Sequence, residues 1–217
     1  TYPFGRGGFE VSKLEEATAK RYLPAAELSK LKSATASNPQ CEYARKLFLF
    51  SYYCYGISFI DMAMLTTAHI KQMEDGDYIV YKRQKIKRQK GVKPISIKIT
   101  PAIRQLIGSL QAASPTVDDF LLPIVTRSGY TGERLYMHIR TRYSKYQKYL
   151  RLLAEELGID FHLTSYVSRH TAAMTLQRNH IPREVISQML GHADLETTNI
   201  YLDSFDNEVI NEAAKVL

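Results

Sequence analysis

Between Tyr43 and Tyr55 the chain carries Leu47, Phe48, Leu49, Phe50 and Tyr52 in near succession, so a helix drawn through this stretch is apolar around most of its circumference. Such a helix is stable only where other elements cover it on every side. The stretch is therefore expected to be the buried central helix of the fold, and its neighbours must supply the walls. Leu23, Leu28 and Leu31 behind Pro24 suit a short amphipathic helix that Asn38-Pro39 breaks. Gly56 is expected to end the central helix, and Ser58 to cap a further turn running through Asp61 and Leu65.

The period changes between Asp75 and Thr100. Tyr78-Ile79-Val80-Tyr81 and Ile95-Ser96-Ile97-Lys98-Ile99 are β-branched and aromatic runs and predict a hairpin. Between them lie Lys82, Arg83, Lys85, Lys87, Arg88, Lys90 and Lys93 without one acidic residue. A solvated basic loop is one reading of this tract. A segment lying along a phosphate backbone is the better one, because counterion release rewards such clustering. Lys82, Lys87 and Arg88 are its expected DNA contacts.

Helical spacing returns from Pro101 to about Ala112. After a short apolar stretch, Leu121 to Val125, it resumes from Leu135 to Leu157. There Leu150, Leu153 and Leu157 are expected in the core, with Arg134, Arg140, Arg142, Lys145 and Lys148 toward DNA. No internal repeat interrupts the chain. The expected fold class is mainly α with a small antiparallel sheet.

The last third concentrates reactive side chains on short helices. Thr164 is placed to cap one that carries Tyr166, Arg169, His170 and Ala173; Pro182 suits the start of the next and Gly191 its stop. Asp194 is placed to cap a third, containing Tyr201. Arg169 and His192 are donors of the kind that neutralise a phosphoryl group, and the phenol of Tyr201 lies nine residues beyond His192. In a chain with 15 tyrosines a single one carries no signal, but this one follows the other two groups. His162, His170 and His180 read as packing residues.

A net charge of +7 favours a polyanionic partner without distinguishing DNA, RNA or an anionic membrane surface. Cys41 and Cys54 are too few for a disulfide framework and lack zinc-site spacing. No apolar run is long enough to cross a bilayer and the start lacks a signal-peptide layout, so cytoplasmic work is expected. Thr1 to Arg21, with Gly5-Arg6-Gly7-Gly8 and no sustained period, reads as a linker.

Taken together, Tyr166-Val167-Ser168-Arg169-His170, Leu190-Gly191-His192 and Tyr201 resemble the H-x-x-R box, the L-G-H box and the spaced nucleophile of the tyrosine recombinases, the phage integrase family. The resemblance implies a catalytic domain at 22–217 with a tail helix, and residues 1–21 as the linker from an amino-terminal DNA-binding domain. It implies DNA cleavage and rejoining through a 3′-phosphotyrosine on Tyr201, with Arg169 and His192 on the phosphate and a hairpin lysine as general acid. Lys85 is the expected lysine, with Lys82 and Lys87 as alternatives.

Cofactors are expected to be none, and the lack of an acidic cluster points to catalysis without a divalent metal. The implied partner is double-stranded DNA in a bacterial nucleoid, bound by a homotetramer on paired sites whose tails contact neighbouring protomers. Two departures stand out. Ser58 occupies the first-box arginine position, in Gly56-Ile57-Ser58-Phe59-Ile60-Asp61, and Tyr166 replaces the first histidine. This is similar to integrases of conjugative and other mobile elements. A second guanidinium is then expected from elsewhere, and Arg45 is the candidate. A noncatalytic DNA-binding module of the same fold, and a type IB topoisomerase, are the alternative readings.

Overall fold

Helix α2, Pro39–Tyr53, begins where the preceding break occurs. The Asn38 side chain accepts from the Gln40 amide at 2.8 Å, and Pro39 takes the first helical position, where a missing N–H costs nothing. Asn38-Pro39 therefore both separates α2 from α1, Ala25–Ser33, and starts it a turn earlier than the apolar run alone suggests. In the computed structural model, which describes residues 22–87, 90–192 and Thr198, Leu47, Phe48 and Phe50 of α2 are completely buried. The linker, Arg88, the helix capped by Asp194, Tyr201 and the tail lie outside the described residues.

Three helices wall in α2: α4, Pro101–Ala113; α5, Gly132–Glu156; and α6, Ser165–Arg178. Thr100 and Thr164 cap α4 and α6 through their side-chain oxygens. The short α3, Phe59–Ala63, follows the Gly56 reversal and is capped by Ser58, as its sequence suggests. Helix α7, Arg183–Leu190, packs against α6 and the sheet and stops at Gly191, whose φ of 64° is left-handed. Among the described residues no helix is long and apolar enough to cross a membrane. Cys41 and Cys54 are buried free thiols.

The sheet has three antiparallel strands in sequential order: β1, Ile70–Met73; β2, Gly76–Tyr81; and β3, Ile95–Lys98. Strands β2 and β3 are the expected hairpin, paired from Tyr78 with Lys98 to Tyr81 with Ile95. Ile79, Tyr81, Ile95 and Ile97 are buried, and the basic tract loops between the strands. Strand β1 was not legible in the pattern, since Ile70-Lys71-Gln72-Met73 is largely exposed and does not alternate. Only the Asp75-Gly76 step before β2 carried a turn signal for it.

Candidate active site

Tyr166 and Arg169 are three residues apart on α6 and share a face. Arg169 is only 5% exposed, and its guanidinium donates to the Gly56 carbonyl at 3.1 Å and the Leu190 carbonyl at 2.6 Å. One residue thus ties the end of α2 to the end of α7. The approach requires glycine: a Cβ on Gly56, at φ 71°, would lie 2.4 Å from the Arg169 Cα. Burial first, and the nearby Arg83 guanidinium second, lower the Arg169 pKa to about 10. It remains a cation at neutral pH, and an arriving anion would relieve both effects.

The hairpin loop is clamped to this floor by Asp61. Its two carboxylate oxygens accept from the Gln84 amide at 2.7 Å and the Ser58 hydroxyl at 2.6 Å, and Asp61 is 3% exposed. Holding Gln84 fixes its neighbours Arg83 and Lys85. Arg83 donates to the Gly191 carbonyl at 3.1 Å, one residue beyond the carbonyl that Arg169 holds. Lys82, Lys85 and Lys87 are exposed along the same loop, Lys87 donating to the Gln84 side chain at 2.6 Å.

Gly191 turns the chain so that His192 follows directly; its left-handed φ strains any other residue, and a Cβ would stand 2.3 Å from Ile95 Cδ1, which would have to shift. The His192 Nδ1 lies 2.7 Å from the Thr198 hydroxyl, which is completely buried. Thr198 had not been singled out, yet it orients the imidazole. His170, read as a packing histidine, sets its ring edge-on to Tyr166 with centroids 4.8 Å apart.

Ser58, Arg83, Arg140, Tyr166 and Arg169 border one open cleft of about 430 Å³, which Phe59, Tyr136 and Tyr143 also line. Arg45 is not brought there, which corrects the expectation that it supplies the second guanidinium. Its Nε and Nη2 each meet a Glu42 carboxylate oxygen at 2.7 Å, and Nη1 donates to the Leu31 carbonyl at 3.0 Å. Nε and Nη2 are thus spent within α2, and Nη1 ties α2 to α1. Among the described residues Arg83 and Arg140 are the guanidiniums that border the cleft besides Arg169. The sequence showed them only as members of basic runs, because their convergence depends on the hairpin folding over α7.

This architecture is shared with known proteins, and residues 21–208 match the phage integrase family. The chain belongs to that family. It is 31% identical over 114 residues to the tyrosine recombinase XerC of Rhodospirillum centenum, an alignment spanning 52% of this chain and 31% of that protein. The chain therefore spans about a third of the length of this curated relative. Among solved structures, the XerA recombinase superposes with a TM-score of 0.62 at 22% identity, covering 90% of this chain and 64% of that one. The Tn1549 transposon integrase, in complex with transposon right-end DNA, superposes with a TM-score of 0.64 at 14% identity, covering 96% and 70%. At such identities the structural likeness shows the fold: the mainly helical recombinase catalytic fold with its three-stranded antiparallel sheet. In this chain the end of α7 meets α6 and the hairpin loop through the bonds that Arg169 and Arg83 make to the Leu190 and Gly191 carbonyls. Among the described residues no three His, Cys, Asp or Glu side chains gather as ligands for an ion.

Proposed function

We propose that this chain cleaves and rejoins double-stranded DNA, with Tyr201 as nucleophile and the Arg169 cleft as the seat of the scissile phosphate. The observation that carries the reading is the buried Arg169 guanidinium, fixed by two carbonyls at the edge of a cleft that Arg83 and Arg140 also border. The Tyr201 phenol releases its proton to solvent as its oxygen attacks phosphorus, the bond to the 5′ oxygen breaks, and the leaving oxygen takes a proton from Lys85. The product is a 3′-phosphotyrosine with a free 5′-hydroxyl. Attack by a 5′-hydroxyl from a partner strand reverses the step and releases Tyr201.

Charge grows on the phosphoryl oxygens and on the leaving oxygen during this step. Arg169 and His192 serve the former as preorganised donors, and Tyr166 offers its phenol where the family pattern has a histidine. Arg83 fills the place that Ser58 leaves without a cation. This chain then groups with integrases of mobile elements that lack the first-box arginine. It works as a homotetramer on paired sites, with residues 1–21 leading from a DNA-clamping domain and the tail reaching a neighbouring protomer. Bound to chromosomal DNA, it belongs in the bacterial cytoplasm.

A nicked duplex that loses a short fragment on cleavage traps the covalent intermediate. The full chain is expected to form an adduct that Tyr201→Phe does not form, while that variant still binds DNA. Binding without any adduct from the unsubstituted chain would instead establish the DNA-binding module. Adduct formation with supercoil relaxation and no strand exchange would establish the topoisomerase.

A further inference from the structure

Three of the exposed large hydrophobic side chains, Tyr136, Tyr143 and Tyr166, at 59%, 37% and 54% exposure, line the same cleft. Tyr136, Ile139, Arg140 and Tyr143 follow one another at helical spacing and present a single stripe of α5 to it. The cleft's volume of about 430 Å³ exceeds what one phosphoryl group fills, and falls in the range of clefts that enclose small, largely apolar ligands. An anion seat alone does not account for this wall.

The wall is held in place from behind. Tyr146, in the core, stacks on Phe59 at 5.1 Å between centroids, and Phe59 meets Tyr143 at 5.3 Å. The Tyr143 hydroxyl lies 3.1 Å from the Ser165 hydroxyl. An aromatic ladder thus climbs from the core and ends in the cleft. Tyr166, its ring edge-on to His170, lines the same cleft, and Arg83, Arg140 and Arg169 border it. Flat apolar faces framed by guanidiniums match the chemistry of an unstacked nucleotide, whose base stacks and whose phosphates pair with cations. A base inside intact duplex shows no face to such a wall.

Resting on the cleavage reading above, we propose that the cleft receives a nucleobase that has left its pair beside the scissile phosphate, stacked on Tyr136 and Tyr143. Strand exchange supplies the reason. After the break, nucleotides next to the 5′-hydroxyl must leave their complement before joining a partner duplex. A wall that stacks one of them offsets part of the unpairing cost.

A protein that extrudes a base binds more tightly where that base is already unpaired. The test compares the full chain's affinity for a short labelled duplex with one central mismatch against its fully paired counterpart. The unsubstituted chain is expected to favour the mismatch by roughly tenfold, a ratio set by the unpairing cost. Tyr136→Leu and Tyr143→Leu should each bring the ratio close to one, whereas Tyr136→Phe and Tyr143→Phe should keep it. Because Tyr136 is mostly exposed, its leucine variant folds whatever becomes of Tyr143→Leu. Equal affinities for the two duplexes in the unsubstituted chain, or a preference that survives Tyr136→Leu and Tyr143→Leu alike, would overturn the proposal. Adduct formation on the nicked duplex is read separately: an adduct without mismatch preference sinks only the base site, and preference without an adduct sinks only the cleavage reading.

Discussion

Replacing Gly56 by alanine tests how the cleft's central cation is placed. Gly56 and Gly158 both have left-handed φ values, 71° and 60°, but a Cβ on Gly158 meets nothing within 4 Å. Gly158→Ala therefore measures the conformational cost alone, about 1–2 kcal/mol. Gly56→Ala carries that cost and also drives a methyl into Arg169, 2.4 Å from its Cα, 2.5 Å from its Cβ and 2.6 Å from its Cγ. Backbone cannot rotate aside as a side-chain tip can, so α6 must retreat by about 1 Å, adding an overpacking cost of about 1–3 kcal/mol. Urea denaturation should place Gly56→Ala about 1–3 kcal/mol below Gly158→Ala, within a typical domain stability of about 5–15 kcal/mol. The same displacement moves the Arg169 guanidinium relative to the phosphate, and about 1 Å of misplacement costs on the order of 100-fold in rate. Adduct formation should fall by that factor in Gly56→Ala and hold in Gly158→Ala. Equal stabilities and equal adduct rates in the two variants would refute the close-approach reasoning.

Arg83→Ala is expected to lose adduct formation by about 100-fold or more, as for other preorganised charge donors, and Ser58→Arg in that background should recover part of it by returning a cation to the same cleft. Restriction of recovery to the noncovalent affinity would move Arg83 out of the phosphate's reach. Lys82→Ala and Lys87→Ala should weaken DNA binding uniformly across sequences, each lowering the salt slope of the affinity by about one; unchanged slopes would remove those lysines from the phosphate backbone. The His138 Nε2 faces the Thr126 amide at 3.2 Å, and burial, with Arg142 next, depresses its pKa below 6.5. The folded state thus disfavours the proton more than the unfolded chain does, so this contribution to stability is complete above pH 6.5 and is lost as pH falls through the depressed value. Denaturation midpoints followed from neutral pH to about pH 5 should fall less steeply in His138→Gln than in the unsubstituted chain, and equal slopes would locate the pH dependence elsewhere.

Features governed by local chemistry were readable along the chain. The Ser58 and Thr164 caps, the Gly191 stop and the β2–β3 pairing each depend on residues close in sequence. The apolar girth of Leu47 to Phe50 announced the central helix because no other environment suits it. What escaped reading depends on packing between distant segments. Arg45 lies on the helix leading to Gly56, yet Glu42 sits one turn before it and captures the guanidinium. Arg83 lay among seven basic residues, and nothing in their spacing marks the one whose neighbouring amide Asp61 holds. Strand β1 was hidden for a simpler reason: at the sheet's edge most of its side chains are exposed, and polar residues there leave no alternating pattern to find.

The arrangement around α7 explains how this chain places two guanidiniums side by side. The last carbonyls of a helix have no partners within it and carry the negative end of its dipole. Arg169 takes the Leu190 carbonyl and Arg83 takes the next, on Gly191, so each cation is held by a partial negative charge that offsets its repulsion from the other. Neither hydrogen bond involves a side chain of α7. The L-G-H box thus needs leucine for the core, glycine for the turn, and a free run of backbone oxygens for the arginines. Arg83 reaches its oxygen because Asp61 grips the Gln84 amide, and the same Asp61 accepts a hydrogen bond from the Ser58 hydroxyl. Helix α3 delivers the carboxylate clamp, and the hairpin delivers the cation. Asp61 thus joins α3 to the loop that carries Arg83.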